Sequence, residues 1–382
     1  MTTAVRRRRT AATGDTAAID TVIVTCSGVD LLGTKNGSKH FPRASNEALP
    51  LHVSMSSQRT RDALFLYCAS AVVVAAGAAL VLVRRSHAHR RPVCSPLDGA
   101  DVDKLLTGDI EKLAATVVTR GGLASHEQRK RVWPRLLNVD TSVEKLASDF
   151  QRLKQQAKME TAEDVVEAFR VIAADVPRTQ LPGKVQAATL TDILECFTVS
   201  EESVRYAQGM ADIAALFAEV FDGDDALCYA GFAAFMRQQR MSFLRDISVG
   251  LLVRLKLLGN LLRVSDAPVW GAMKSLNATE CIWAMRLAAV LLFRELDAQD
   301  AARLVDVLIA HPDNDYILYV VAACLLTRRK QILAAKALDD LLLVTNGLKP
   351  GTVELTQLLT HAAQLHKRVQ SLGCYVRCKP YD

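Results

Sequence analysis

From about Asp101 onward, apolar residues recur at intervals of three and four, with little alternation at two. That spacing constrains the fold more than any other feature of the chain. It gathers apolar side chains on one face of a helix, whereas a half-buried strand needs a period of two. Leu105, Leu106, Ile110, Leu113, Ala114 and Val117 make one stripe, closed by Gly121-Gly122. Ser125 with Gln128, and Thr141 with Glu144, have the spacing of capping boxes, and Pro134 reads as a breaker or kink. Further helical patterns cover about 161–173, 185–196, 203–220, 225–240, 247–263, 279–294, 298–310, 315–329 and 351–370. Turn signals separate many of them: Pro182-Gly183, Asp222-Gly223, His311-Pro312 and Lys349-Pro350-Gly351. The pattern predicts an all-α fold.

Ahead of this body lies a run of 21 uncharged residues, 63–83. As a helix it would measure about 31 Å, close to a bilayer's hydrocarbon core. Arg59, Arg61 and Asp62 precede it, and Arg84, Arg85, Arg90 and Arg91 follow it. The excess of arginine behind predicts a single transmembrane helix with its C-terminal side in the cytoplasm. Ala71, Ala75 and Ala79 form a small-residue ridge that is incidental in so alanine-rich a run. Residues 1–62 read as a poorly ordered tail. Its sequon at Asn36 would face the lumen, and Met55 offers a second possible start. The expected order is the tail at 1–62, the membrane helix at 63–83 and a basic juxtamembrane linker at 84–100. A folded domain at 101–345 and a C-terminal helix and tail at 346–382 complete it.

Charge and cysteine content exclude several classes. Nine Lys/Arg against five Asp/Glu up to residue 62, with the four arginines behind the apolar run, put +8 ahead of residue 92. The net charge is +6, so the remaining 291 residues sum to −2 and lack the basic footprint of a nucleic-acid binder. Nine cysteines are scattered through apolar contexts, and only Cys374 and Cys378 stand close together. That is the pattern of reduced thiols in a cytosolic body, neither a disulfide framework nor a zinc site. No GxSxG or HExxH occurs, and His126, His311, His361 and His366 show no ligand spacing. His361 and His366 read as residues of a solvated face or helix end. No metal is expected.

Two short motifs carry chemistry. Ile172, Asp175, Arg178 and Thr179 close one helical pattern, where Pro177 disfavours continuation and delivers Arg178 on a turn. Asp175, three residues earlier, is placed to hold the guanidinium. Tyr206, Gln208 and Gly209 precede Met210, Asp212 and Ile213 at the start of another helix, where Gly209 permits close approach of another backbone. A fixed Arg and a fixed Gln are the groups GTP hydrolysis needs. The Arg neutralises charge developing on the phosphate oxygens, and the Gln orients the attacking water. Taken singly, each motif reads as a surface ion pair or as helix packing.

Together, the IxxDxxR-Thr and YxQG patterns resemble the TBC-domain GTPase-activating proteins that act on Rab GTPases. The resemblance covers about 101–345. It includes Arg129 leading to Trp133 and a Leu136-Leu137 pair, and Arg294-Glu295-Leu296 followed by Arg303 and Asp306, with Val305 where the family usually has Trp. Segments 121–140 and 310–328 are most similar to the endoplasmic-reticulum-anchored branch. There the membrane helix follows the domain, whereas here the apolar run precedes it. The resemblance implies a multi-helix TBC fold in which Arg178 is an arginine finger and Gln208 a glutamine finger. Asp175 and Tyr206 would orient them, with Thr179 and Gly209 in support. It implies a Rab in its GTP form as partner, an early secretory location and no cofactor of the chain's own. GTP and Mg²⁺ would belong to the GTPase, since no GxxxxGK[ST] loop occurs. A TBC fold kept as a silent Rab-binding scaffold is the alternative, and loss of either finger would have pointed there.

Overall fold

The computed structural model describes residues 96–97, 99–183 and 185–372. The apolar run 63–83, the tail before it and residues 373–382 lie outside the described residues. Among those described, no helix is long and apolar enough to cross a membrane. They form sixteen α-helices and three short 3-10 turns, with one isolated bridge between Leu97 and Leu123.

The first stripe is two helices, α1 (Gly99–Leu106) and α2 (Ile110–Arg120). The break has a local cause, because Asp109 accepts the Glu111 N–H at 2.9 Å and starts a new helix. Ser125 and Gln128 form the expected capping box at the head of α3 (His126–Leu136). Pro134 lies inside the last turn of α3 without ending it. The pairing of Thr141 with Glu144 does not form. Ser142 is the cap residue of α4 (Val143–Met159), and its N–H is taken by Asp140 at 2.9 Å.

Next come α5 (Glu163–Asp175), α6 (Ala187–Ser200), α7 (Met210–Val220) and α8 (Asp225–Gln238). The pattern expected from 203 becomes helical only at Met210. Then α9 (Leu251–Ser265) is followed by α10 (Ala267–Ser275), a helix the periodicity missed. Asp266 caps α10 through the Val269 N–H at 3.0 Å. The helix expected over 279–294 is instead a 3-10 turn (Ile282–Ala284), the five-residue α11 (Met285–Ala289) and an irregular turn. Then follow α12 (Ala298–Ala310) and α13 (Tyr316–Thr327). The short α14 (Arg329–Ala334) and α15 (Leu338–Asn346), both missed, precede α16 (Leu355–Ser371).

The core centres on α13. Residues 316–325 are all buried, as suits a helix apolar on every side, and α9 and α16 pack against it. The buried stripe of α16, Leu355, Leu358, Leu359, Ala362, Leu365 and Val369, supplies that contact. His361 is exposed, but His366 is not on a solvated face. Its ring meets those of His311, Tyr316 and Tyr319 edge-on, and its Nε2 lies 3.3 Å from Asp313 Oδ2. Cys196, Cys228, Cys281 and Cys324 are buried free thiols.

A second knot joins α3 to α12. Asp306, fully buried, accepts from Arg129 Nη2 at 2.9 Å, Trp133 Nε1 at 2.7 Å and the Leu123 N–H at 2.8 Å. Arg129 Nη2 also donates to Leu123 O at 2.8 Å. Gly122, at φ +109°, allows this approach, since a Cβ there would meet Asp306 Oδ2 at 3.0 Å. Val305, in the position of the family's usual Trp, is fully buried.

Candidate functional site

α5 ends at Asp175, and the chain tightens into a 3-10 turn, Val176–Arg178, with Pro177 inside it. Proline lacks the N–H that would extend the helix. Thr179 fastens the turn, its N–H and Oγ1–H both donating to Asp175 O at 3.1 Å. Arg178 Nε donates to Ala174 O at 2.8 Å and Nη2 to Asp175 Oδ1 at 2.8 Å. Two donors are thus held while the side chain stays 68% exposed.

Asp175 is the hinge of the site. Its second oxygen accepts the Tyr206 hydroxyl at 2.9 Å, so one buried carboxylate joins two motifs that lie far apart in sequence. Burial pushes the Tyr206 phenol well above its usual range, and the Asp175 hydrogen bond adds to the effect, which keeps Tyr206 a proton donor. The segment ahead of α7 is held at two more points, Arg205 and Gly209. Arg205, at φ +54°, pairs with Asp164 at 3.0 Å, and Arg245 meets the same carboxylate at 3.1 Å. Gly209 has φ +102°, and a Cβ there would stand 2.6 Å from Val290 Cγ1. The close neighbour at Gly209 is therefore a side chain, where another backbone had been expected.

Between these fixed points Gln208 is exposed and makes no hydrogen bond with the described residues. Arg178, Gln208, Asp175, Thr179, Tyr206 and Gly209 line one cleft of about 240 Å³. All six residues singled out in the sequence therefore meet. Ala211, Asp212 and Arg294 complete the lining. Asp212 had entered only as a motif neighbour, and burial raises its carboxyl despite Arg294 nearby. In the sequence Arg294 belongs to the Arg294-Glu295-Leu296 landmark. Periodicity had placed it at the end of a helix, and no local signal marked it as a cleft residue. Among the described residues, no group of His, Cys, Asp and Glu is arranged to hold a metal ion.

The fold has counterparts among solved structures. The Ypt/Rab-GAP domain of Gyp1p superposes with a TM-score of 0.61 at 18% identity, over 72% of this chain and 98% of that one. The profile of the Rab-GTPase-TBC domain family matches residues 126–333, and the chain belongs to that family. It is 24% identical over 212 residues to Rab GTPase-activating protein 22 of Arabidopsis thaliana, which is 49% of this chain and 38% of that protein. It is 27% identical over 193 residues to GTPase-activating protein GYP7 of Yarrowia lipolytica, which is 50% of this chain and 26% of that one. The chain thus spans well under half the length of these two relatives.

Proposed function

We propose that this protein accelerates GTP hydrolysis on a Rab-family GTPase by lending it two side chains. Arg178 takes the charge that develops on the β/γ-phosphate oxygens, and Gln208 orients the attacking water. Asp175 and Tyr206 hold the two segments in register, while Thr179 and Gly209 fix the turns that present them. GTP and Mg²⁺ arrive with the partner. What carries the reading is Asp175, whose two oxygens tie Arg178 and Tyr206 at 2.8 and 2.9 Å, so that both fingers open on one cleft. An arginine supplied in trans is worth about 10³ to 10⁵ in rate, or roughly 4–7 kcal/mol of barrier.

The apolar run 63–83, ahead of the domain rather than behind it, would tether this activity to a membrane of the early secretory pathway, with the folded domain in the cytoplasm. The uncharged run and the arginines behind it support the tether. Glycan attachment at Asn36 in cells is the expected mark of that topology, and an unglycosylated, alkali-extractable protein would contradict it.

Single-turnover hydrolysis across a panel of purified Rabs tests the activity. The proposal expects strong stimulation of at least one. A Rab that binds the chain without faster hydrolysis would instead support the silent scaffold, a role that needs neither finger.

A further inference from the structure

Arg294 reaches the cleft from a third segment of the chain. It lines both the finger cleft and a neighbouring groove of about 360 Å³ bounded by Ile282, Arg286, Val290 and Leu342, and Gln208 lies on the same seam. The backbone that delivers it is strained, with Leu291 at φ +50° and Leu292 at φ +60°. Branched-chain residues avoid this region unless the surroundings impose it, and such strain gathers at functional sites. Here burial imposes it, since both leucines are at most 1% exposed.

Just beyond these leucines, the neighbours Arg294 and Glu295 part company. Glu295 goes inward, fully buried and 2.9 Å from Arg286 Nη1. Arg294 goes outward, 44% exposed, and no hydrogen bond holds its side chain among the described residues. Its acidic neighbour Asp212 stands 3.9 Å away, beyond hydrogen-bond reach. Arg178, by contrast, is held by two hydrogen bonds. A guanidinium offers five donors in a planar fork matched to phosphate and carboxylate oxygens.

We propose that Arg294 receives an anionic oxygen group of the docked GTPase, either a phosphate oxygen of its nucleotide or a carboxylate beside it. This rests on the reading of Arg178 and Gln208 as fingers, because a partner seated over them covers Arg294 as well. Asp212 keeps the guanidinium near the cleft without occupying it.

The test uses the full chain and whichever Rab of a purified panel it stimulates most, with single-turnover rates measured against activator concentration. Arg294→Ala is expected to lower stimulation about tenfold to a hundredfold, the worth of a charge-assisted hydrogen bond, with Tm unchanged. A fall in limiting rate supports a phosphate contact, and a rise in half-saturating concentration supports a carboxylate contact. Arg294→Lys keeps charge and stem but loses the fork, so an intermediate loss is expected. If Arg294→Ala proves unstable, wild-type behaviour of Arg294→Lys overturns the proposal. The double variant Asp212→Asn with Arg294→Ala is expected to stay as impaired as Arg294→Ala alone. Its recovery would mean that Arg294 only neutralises Asp212, and would overturn the proposal. Arg178→Ala is the control. If it is inactive while Arg294→Ala stays within about twofold of wild type, this inference fails alone. If Arg178→Ala keeps its activity, or no Rab is stimulated at all, the finger reading fails and takes this inference with it.

Discussion

Arg129 with Asp306 and Arg178 with Asp175 are the same pair of residue types, closed at 2.9 and 2.8 Å. Their surroundings are opposite. The first pair is 3% and 0% exposed, and its carboxylate also serves Trp133 and the Leu123 N–H. In the second the carboxylate is buried but the guanidinium is 68% exposed and faces a cleft. A buried pair is costly to assemble and worse to break, so it persists where it fixes one arrangement of helices. An exposed pair contributes little to stability, so rigid placement of its arginine points to work on another molecule. Burial is thus what distinguishes two otherwise matching pairs.

That contrast can be broken by mutation. Arg178→Ala should lose about 10³ to 10⁵ in stimulated hydrolysis, with an unchanged urea midpoint. Arg129→Ala should do the reverse in kind, costing about 3–5 kcal/mol of stability by leaving Asp306 buried without its cation. Equilibrium unfolding would register this as a lower midpoint, and activity should fall only with the folded fraction. Equal loss of stability in both variants would erase the distinction.

The core near the end of α12 also has a pH signature. Burial holds His311 down at about 4, with His366 adding to the effect, whereas an unfolded histidine titrates near 6.5. The unfolded chain therefore binds more protons between those values. The associated stability is complete above about pH 6.5 and is lost as pH falls towards 4, by up to about 3 kcal/mol. Urea unfolding at neutral and mildly acidic pH should show the loss, and His311→Asn should flatten it. The smallest effect belongs to the cleft. Tyr206→Phe removes one hydrogen bond to Asp175, worth about 1 kcal/mol, and should slow stimulated hydrolysis several-fold without abolishing it.

Much of this was legible in the sequence for a physical reason. A helix burying one face writes its period into the chain, and α12 falls on the residues its spacing indicated. The capping box at Ser125 and Gln128 is equally local. What escaped depends on contacts across the fold. The segment 290–296 carries a helical spacing, yet its leucines are drawn into the left-handed region by burial elsewhere. In this segment Val290 lies against Gly209 and Arg294 lines the cleft. The surroundings of His366 are not local either, since its partners His311 and Tyr319 belong to a different part of the chain. Short helices such as α14 and α15 hold too few turns to show a period.

The central claim is that Arg178 and Gln208 serve one reaction centre. Single-turnover hydrolysis by wild type, Arg178→Ala, Gln208→Ala and the double variant, on the most strongly stimulated Rab, addresses it most directly. Residues acting as a unit are not additive, so each single variant should lose nearly all stimulation and the double little more. A folded single variant that keeps near wild-type stimulation, or losses that simply add, would contradict the account.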